Sequence, residues 1–173
     1  MPATRKGKTL MSGRSLTQSL RQNHAIEHAT LTVLSRKRPD VRLVARTDLF
    51  GFIVYGEVDA ADLWAAAEEA VQRLKAGEAA LAVHPNCGTN LVAAGTLSAF
   101  GALLAGAGRR RTLWERLPSA ILGATGALIL AAPAGRWLQT NVTTSADIDG
   151  AAVTSVERLG TTPVVRHRVA ISG

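Results

Sequence analysis

The chain has 173 residues, which is enough for one modest domain and a small attachment. Hydrophobic residues make up 47% of it but aromatic residues only 4%, and a composition this rich in Ala and Gly suits closely packed helices, above all in a membrane. The formal net charge of +7 would permit binding to nucleic acid, but no basic stretch interleaved with aromatic residues accompanies it, so nucleic acid is not an expected partner.

The beginning of the chain predicts a disordered arm followed by a long helix. Residues 1–14 are basic and polar, and because no apolar segment follows them we do not interpret them as a secretory signal. Ser15 followed by Gln18 resembles a capping box, and good helix formers continue from there. We therefore expect a helix over residues 16–36, ended by Pro39.

The next segments predict a strand–helix–strand unit. Residues 41–46 alternate apolar and polar side chains like a half-exposed strand, and residues 51–56 predict a second strand that forms a hairpin with it. An Ala-rich helix is expected over residues 60–76, closed by Gly77. Residues 79–84 then predict a third, buried strand that lies parallel or nearly parallel to the second.

Two uncharged runs dominate the middle of the chain. Residues 91–108 and 117–135 each reach the lower limit for crossing a bilayer, and a basic segment separates them. Gly101-x-x-x-Ala105 and Gly123-x-x-x-Ala127 supply small residues for close contact between the two helices. We predict a transmembrane helical hairpin over residues 91–135. The alternative is a buried hairpin in a soluble protein.

Two further strands are expected near the end of the chain. Residues 152–158 and 164–171 alternate in polarity and would complete a sheet begun by the first half. The predicted fold class is therefore α+β, a small mixed sheet with two helices formed by residues 15–90 and 136–173, interrupted by the hairpin. His167, flanked by two arginines, is interpreted as an exposed residue of an edge strand.

The sequence predicts a cell-membrane protein with two spans, but it gives two opposing indications of orientation. The arginines of the short loop, at positions 109, 110, 111 and 116, favour a cytoplasmic loop and an external domain. The basic first half, which lacks a secretory signal, favours a cytoplasmic domain, and we adopt this second orientation. In either case both halves of the domain lie on the same side of the bilayer.

Three ionisable residues interrupt the apolar stripe of the first helix, in the sequence His24-Ala-Ile-Glu27-His28. Side chains one helical turn apart share a face, and burying such groups without partners costs several kcal/mol, on the order of 2–7. His-x-x-Glu-His resembles the inverted zinc-protease signature, in which two histidines hold Zn²⁺ and the glutamate activates water. That resemblance implies a third ligand from a glutamate on another helix, for which Glu68 or Glu69 is a candidate.

A second motif, His84-Pro-Asn-Cys87-Gly-Thr-Asn90, joins the predicted third strand to the first apolar helix. His84 and Cys87 carry donor atoms that zinc prefers, so either is an equally good third ligand. Thr89 or Asn90 is expected to cap the helix. Because Cys87 is the only cysteine, it has no internal disulfide partner, and a separate interpretation makes it a nucleophile with His84 as its base.

The complete set of motifs resembles a family of small bacterial membrane proteins that carry a domain of unknown function, familiar from cyanobacteria and Chloroflexi-like bacteria. The resemblance runs from about residue 20 over most of the chain and implies membrane residence and this order of elements. It implies no activity, cofactor or catalytic residue. The motifs that carry it are His24-Ala-Ile-Glu27-His28-Ala-Thr-Leu, Gly51-Phe52, His84-Pro-Asn-Cys-Gly-Thr-Asn90, the apolar hairpin and Thr143-Thr144-Ser145.

The hypothesis we favour from the sequence is a zinc-dependent hydrolase, such as a peptidase acting near the membrane, with the lipid bilayer and a membrane protein or peptide as partners. His24 and His28 would bind the metal and Glu27 would be the general base. The competing hypothesis is a non-catalytic membrane adaptor or accessory subunit in which the same polar cluster is architectural. A hydrolase requires these side chains to converge on an open cleft, whereas an adaptor would have them capped by backbone carbonyls and closed off.

Overall fold

The computed structural model of the chain describes residues 15–107, 112–160 and 164–173. Two sequence predictions, the disordered arm over residues 1–14 and the basic loop at residues 109–111, lie outside the described residues. The described parts form an α+β fold with four α-helices and one four-stranded antiparallel sheet.

The first helix, α1, spans Leu16–Lys37, within one residue of its predicted bounds. Its start is fixed by Ser15, whose Oγ accepts a hydrogen bond from the Gln18 backbone N–H at 3.2 Å. The inward stripe of α1 includes Ile26, which is fully buried. The second helix, α2, spans Ala60–Lys75 and packs beside α1 with its alanine-rich face inward.

The sheet has the strand order β1-β2-β4-β3, all antiparallel. Its strands are β1 (Val44–Asp48), β2 (Gly51–Tyr55), β3 (Ala152–Gly160) and β4 (Arg166–Ser172). Fully buried Phe52 on β2 and Val169 on β4 pack into the core with the two helices. The chain's last strand is therefore central, and this overturns the prediction that His167 is an exposed edge residue, because the side chain is only 1% exposed.

The predicted third strand over residues 79–84 is wrong. Ala79–Ala82 forms a 3₁₀ helix that buries Leu81 and Ala82 beneath α1, and no parallel pair occurs among the described strands. The reason is the pairing of β2, which has β1 on one side and β4 on the other. Both edges of β2 are filled, so the segment buries its apolar side chains by a short turn instead.

The two apolar runs form long helices packed against each other. Helix α3 spans Gly88–Gly106, and helix α4 spans Leu113–Leu138 and continues into a π-helical turn, Gln139–Thr143. Both helices are long and apolar enough to cross a membrane. Their contact is at the predicted small residues, since a Cβ on Gly101 would collide with the Gly123 carbonyl oxygen and a Cβ on Gly123 with that of Gly101.

Candidate metal centre at the base of the hairpin

The two histidines of α1 lie one turn apart, with ring centroids separated by 4.3 Å. His28 Nδ1 lies 2.8 Å from the Ala82 carbonyl oxygen, and His24 Nδ1 lies 3.0 Å from that of Thr143. A carbonyl only accepts, so each Nδ1 carries the hydrogen and donates it. Each neutral imidazole then has the lone pair on Nε2, as in histidines that bind metals through that atom.

Cys87 completes the group from the first turn of the hairpin. It is the N-cap of α3, and its Sγ accepts from the Thr89 backbone N–H at 3.4 Å. The prediction that Thr89 or Asn90 caps the helix is therefore wrong, because both already lie in the helical first turn. The Sγ atom is 3.5 Å from His24 Nε2, and one ligand atom each from His24, His28 and Cys87 lie within 4.8 Å of one another.

The electrostatics of the group favour a thiolate. Burial by itself raises the pKa of the Cys87 thiol, but hydrogen bonds from His24, His28 and Thr89 outweigh it and lower that pKa to about 5. Burial lowers the pKa of His24, yet the hydrogen bonds to Cys87 and Thr143 leave it raised above 6.5. Without a metal, the sulfur and the His24 ring can therefore form a thiolate–imidazolium pair.

His84 lies beside this group but makes different contacts. Its ring centroid is 5.8 Å from that of His28, and its Nδ1 accepts from the Asn86 backbone N–H at 3.2 Å. Burial, with a smaller effect from the neighbouring His28, lowers its pKa below the ordinary value. The ring is thus neutral at pH 7, with its hydrogen on Nε2.

Glu27 is buried, with 6% of its surface exposed, and its carboxylate accepts a hydrogen bond from the Thr47 hydroxyl. Together with His28, His84 and Cys87 it lines a cleft of about 850 Å³. The arrangement fits neither the hydrolase nor the adaptor expectation in full, because His24 lines a separate cavity with Thr47 and Thr143. The Nδ1 atoms of both histidines are capped by backbone carbonyls, while Glu27, His28 and Cys87 line the larger cleft.

The glutamates considered as third ligands lie on α2 among other partners. Glu68 is exposed. Glu69 forms ion pairs with Lys37 at 2.6 Å and with Arg73 at 3.4 Å, and these cations hold the pKa of its carboxyl below the usual range. Within the described part of the chain, Cys87 rather than either glutamate accompanies the two histidines.

Comparison with known proteins agrees with the resemblance in the motifs. A family described as a domain of unknown function (DUF6391) matches residues 19–156. The chain belongs to this family. An uncharacterized protein of Picosynechococcus sp. is 41% identical over 81 residues, which cover 42% of this chain. The match spans 40% of that relative's length, and no solved structure matches the chain.

Sequence reasoning missed the amide network that holds the His84 turn of this family member against the hairpin. Gln139 is fully buried; its Oε1 accepts from the His84 backbone N–H and its Nε2 donates to Asn90 Oδ1, both at 2.8 Å. Asn90 in turn donates to the Pro85 carbonyl at 2.7 Å. The signal was the amide of Gln139 shortly after an apolar run, where burial of an uncompensated polar group would be costly.

The Thr143-Thr144-Ser145 motif also has a structural role that the sequence did not reveal. The π-helical turn that ends α4 presents the Thr143 carbonyl to His24, while Arg21 of α1 donates to the Thr144 carbonyl at 3.0 Å. Ser145 N donates to the Arg21 carbonyl at 3.0 Å. These contacts fix the end of the hairpin to the helix that carries both histidines.

Proposed function

We propose that this protein is a membrane-anchored, zinc-dependent hydrolase whose metal ligands are His24, His28 and Cys87. The observation that carries the proposal is the arrangement of these three donors, whose ligand atoms lie within 4.8 Å of one another. Both imidazoles are held by backbone carbonyls through Nδ1 and offer Nε2. This is the outer-shell support that metal-binding histidines ordinarily have.

The donor set favours zinc. Two imidazoles and a thiolate suit Zn²⁺, and three protein ligands are typical of catalytic zinc, which leaves one position for water or substrate. The low pKa of Cys87 means that the ligand is already deprotonated at neutral pH. Zinc bound here would supply Lewis acidity and make water more acidic.

Glu27 is the proposed general base. It adjoins His28 in sequence, lines the same cleft, and its carboxylate is held by the Thr47 hydroxyl. In the hydrolysis, the water oxygen bonds to the carbonyl carbon while Glu27 accepts the water proton. The carboxylate then returns a proton to the leaving group as the bond to the carbonyl carbon breaks. His84 lies on the same cleft, and its Nε2–H is the candidate for an additional hydrogen-bond donor.

We further propose that α3 and α4 cross the cell membrane as a two-span hairpin, with the α+β domain in the cytoplasm. The outward side chains of both helices are apolar and exposed, and Trp137 at the end of α4 is 61% exposed, as suits an interfacial anchor. A green fluorescent protein fused to the C-terminus should then fluoresce, because it folds in the cytoplasm. An active alkaline phosphatase fusion at the same position would contradict this orientation.

Metal analysis of the full chain, purified in detergent, tests the centre. We expect about one zinc per chain, lost in His24→Asn, His28→Asn and Cys87→Ser because each removes a donor. His167→Asn is the matched control, since it removes a buried histidine outside the group and should retain the metal. Substoichiometric metal that is unchanged in the three ligand variants would overturn the proposal.

The catalytic role is tested with Glu27→Gln, which should keep zinc but lose hydrolysis of casein and of p-nitrophenyl acetate by a factor on the order of 10²–10⁴. Glu68→Gln on the exposed face of α2 is the matched control and should be unaffected. If Glu27→Gln alters only thermal stability, and the parent has no hydrolytic activity, the adaptor hypothesis is favoured instead.

A specific observation supports one second candidate, thiol chemistry at Cys87. The sulfur lies 3.5 Å from His24 Nε2, and its pKa is lowered to about 5, as in cysteine nucleophiles paired with histidine. The base in this case is His24, since His84 Nδ1 is engaged with Asn86 N. Hydrolysis that persists in zinc-free protein and is abolished by iodoacetamide would favour this candidate over the metal.

A further inference from the structure

Strand β1 is an edge of the sheet. It pairs with β2 on one side, and among the described strands none pairs on the other. The hairpin closes with the pair Asp48–Gly51, and in antiparallel pairing alternate residues direct their N–H and C=O groups away from the partner. Counting back from the closing pair, Thr47 and Ala45 direct their backbone groups to the free edge.

This free edge borders the cleft of the candidate metal centre. The cleft is lined by residues 41–45, which include the first two residues of β1, by the turn from His84 to Gly88, and by Glu27 and His28. The cleft volume of about 850 Å³ is at the upper end of the range, about 300–1,000 Å³, that is usual for ligand sites. A ligand that lies along the start of β1 in this cleft therefore passes Glu27 and two of the proposed zinc ligands, His28 and Cys87.

We propose that the substrate is an extended peptide that binds by adding a strand to the free edge of β1. The inference rests on the proposed hydrolase function and names its substrate class. The outward donors and acceptors of β1 recur at every second residue, about 6.6 Å apart at a rise of about 3.3 Å per residue, and a peptide backbone matches that alternation along its length. An ester or a lipid tail offers no such series of amide groups.

The side chains along the cleft indicate which peptides fit. Val44 is 69% exposed and Leu91 is 76% exposed, and both line the cleft, so it presents apolar surface to the side chains of a bound strand. Leu91 belongs to the first turns of α3, which places this surface at the start of the proposed membrane span. The favoured substrate is thus an extended segment with apolar residues at alternate positions, lying close to the bilayer.

The chemistry on such a peptide is amide hydrolysis. The water oxygen bonds to the amide carbon, the C–N bond breaks, and the products are a carboxylate and an amine. Glu27 accepts the proton of the water and donates one to the leaving nitrogen, so no oxidant or further reactant is needed.

The peptide side of the contact is tested with the zinc-loaded full-length Glu27→Gln protein in detergent, which should bind without cleavage. The probe is a fluorescein-labelled octapeptide pool in which valine, leucine or phenylalanine alternates with serine, and binding is measured by fluorescence anisotropy. N-methylation removes the amide donors of either the apolar positions or the serines. One of these two series should bind about tenfold more weakly and the other nearly unchanged, because only alternate amides face β1.

The protein side is tested by Ala45→Pro, which removes an N–H at the free edge without removing a bond to β2. It should weaken binding of the unmethylated pool about tenfold while zinc content stays the same. Ala45→Val is the matched control, since it keeps the N–H and should bind within about twofold of the parent.

The outcomes separate the substrate inference from the hydrolase proposal. Equal loss in both methylated series, or no binding of the pool, would overturn the docking strand while zinc content and ester hydrolysis still stand. If the parent is a dimer and Ala45→Pro converts it to a monomer, a second copy of the chain occupies the edge. That result would also overturn the docking of a substrate peptide. Alternating peptide binding by a parent protein that acquires no zinc and hydrolyses neither casein nor p-nitrophenyl acetate would support the docking strand and overturn the hydrolase.

Discussion

The two regions of this protein place their large apolar side chains in opposite ways. In the α+β domain, Phe52 and Ile26 are fully buried. In the hairpin, Phe100 is 59% exposed and Ile129 is 74% exposed, while the contact between the helices is made by small residues. Water favours the first arrangement, because apolar area leaves the solvent. The second suits lipid, where helices associate by close packing and large side chains face the acyl chains.

The largest expected effect comes from making the same change, phenylalanine to alanine, once in each region. Phe52→Ala should lower the free energy of unfolding by about 3–5 kcal/mol, because it leaves a cavity in the core. Phe100→Ala removes the same atoms from the outer face of α3 and should cost less than about 1 kcal/mol. Urea unfolding in detergent, followed by circular dichroism, measures both. Equal losses would mean that the hairpin buries its outer face like a soluble core.

A smaller loss is expected inside the hairpin. Gly123→Leu forces a side chain against the Gly101 backbone and should cost about 1–3 kcal/mol, whereas Gly126→Leu on the same helix has open space. A disulfide between cysteines introduced at positions 106 and 120 reports this contact, in a Cys87→Ser background. A Cβ on Gly106 would lie 3.5 Å from that of Ala120, which is within reach of a disulfide. The disulfide should form with Gly126→Leu and fail with Gly123→Leu. Formation in both would contradict the close approach.

A smaller loss of stability is expected where the hairpin meets the α+β domain, at the hydrogen bonds of Gln139. Gln139→Ala leaves the His84 N–H and Asn90 Oδ1 without their partner, so we expect a loss of about 1–2 kcal/mol. Zinc affinity should also fall, since the turn that carries Cys87 is less well held. Gln72→Ala on the exposed face of α2 is the control, expected to change stability by less than about 0.5 kcal/mol. In both variants, thermal unfolding measures the stability and zinc titration measures the affinity for zinc.

The smallest structural change is the protonation of the Cys87 thiolate, at the start of the hairpin. In zinc-free protein, iodoacetamide should alkylate Cys87 with a pH midpoint near 5, because the thiolate persists down to that pH. The hydrogen bonds to Cys87 and Thr143 raise the pKa of His24 above its ordinary value, so the thiolate and the charged ring coexist at pH values above the Cys87 pKa of about 5 and below that of His24. His24→Ala should move the midpoint upward, towards the ordinary thiol value. A midpoint unaffected by this variant would show that His24 does not stabilise the thiolate.

The elements with strong local signals were predictable from the sequence. Helix α1 has a serine cap and a long run of helix formers, and it lies within one residue of its predicted end. The glycines at 101 and 123 identified the contact between α3 and α4 before any coordinates, because no other residue allows such close backbone approach. Each of these features depends on residues near one another in sequence or on a single steric rule.

Residues 79–84 and His167 were misjudged because their environment is set by distant pairing. The return of β4 between β2 and β3 filled the edge that a parallel third strand would need. The same return made the last strand central and buried His167. Local alternation gives the faces of a strand but not its position in the sheet.

The candidate site shows the same division. Helical spacing alone placed His24 and His28 together with Glu27, since residues one turn apart share a face. Only the tertiary structure brought Cys87 rather than Glu69 to them, and only it supplied the carbonyls of Ala82 and Thr143 that orient the rings. Local periodicity is fixed by the bond geometry of the chain, whereas contacts between distant segments depend on how whole helices and strands pack.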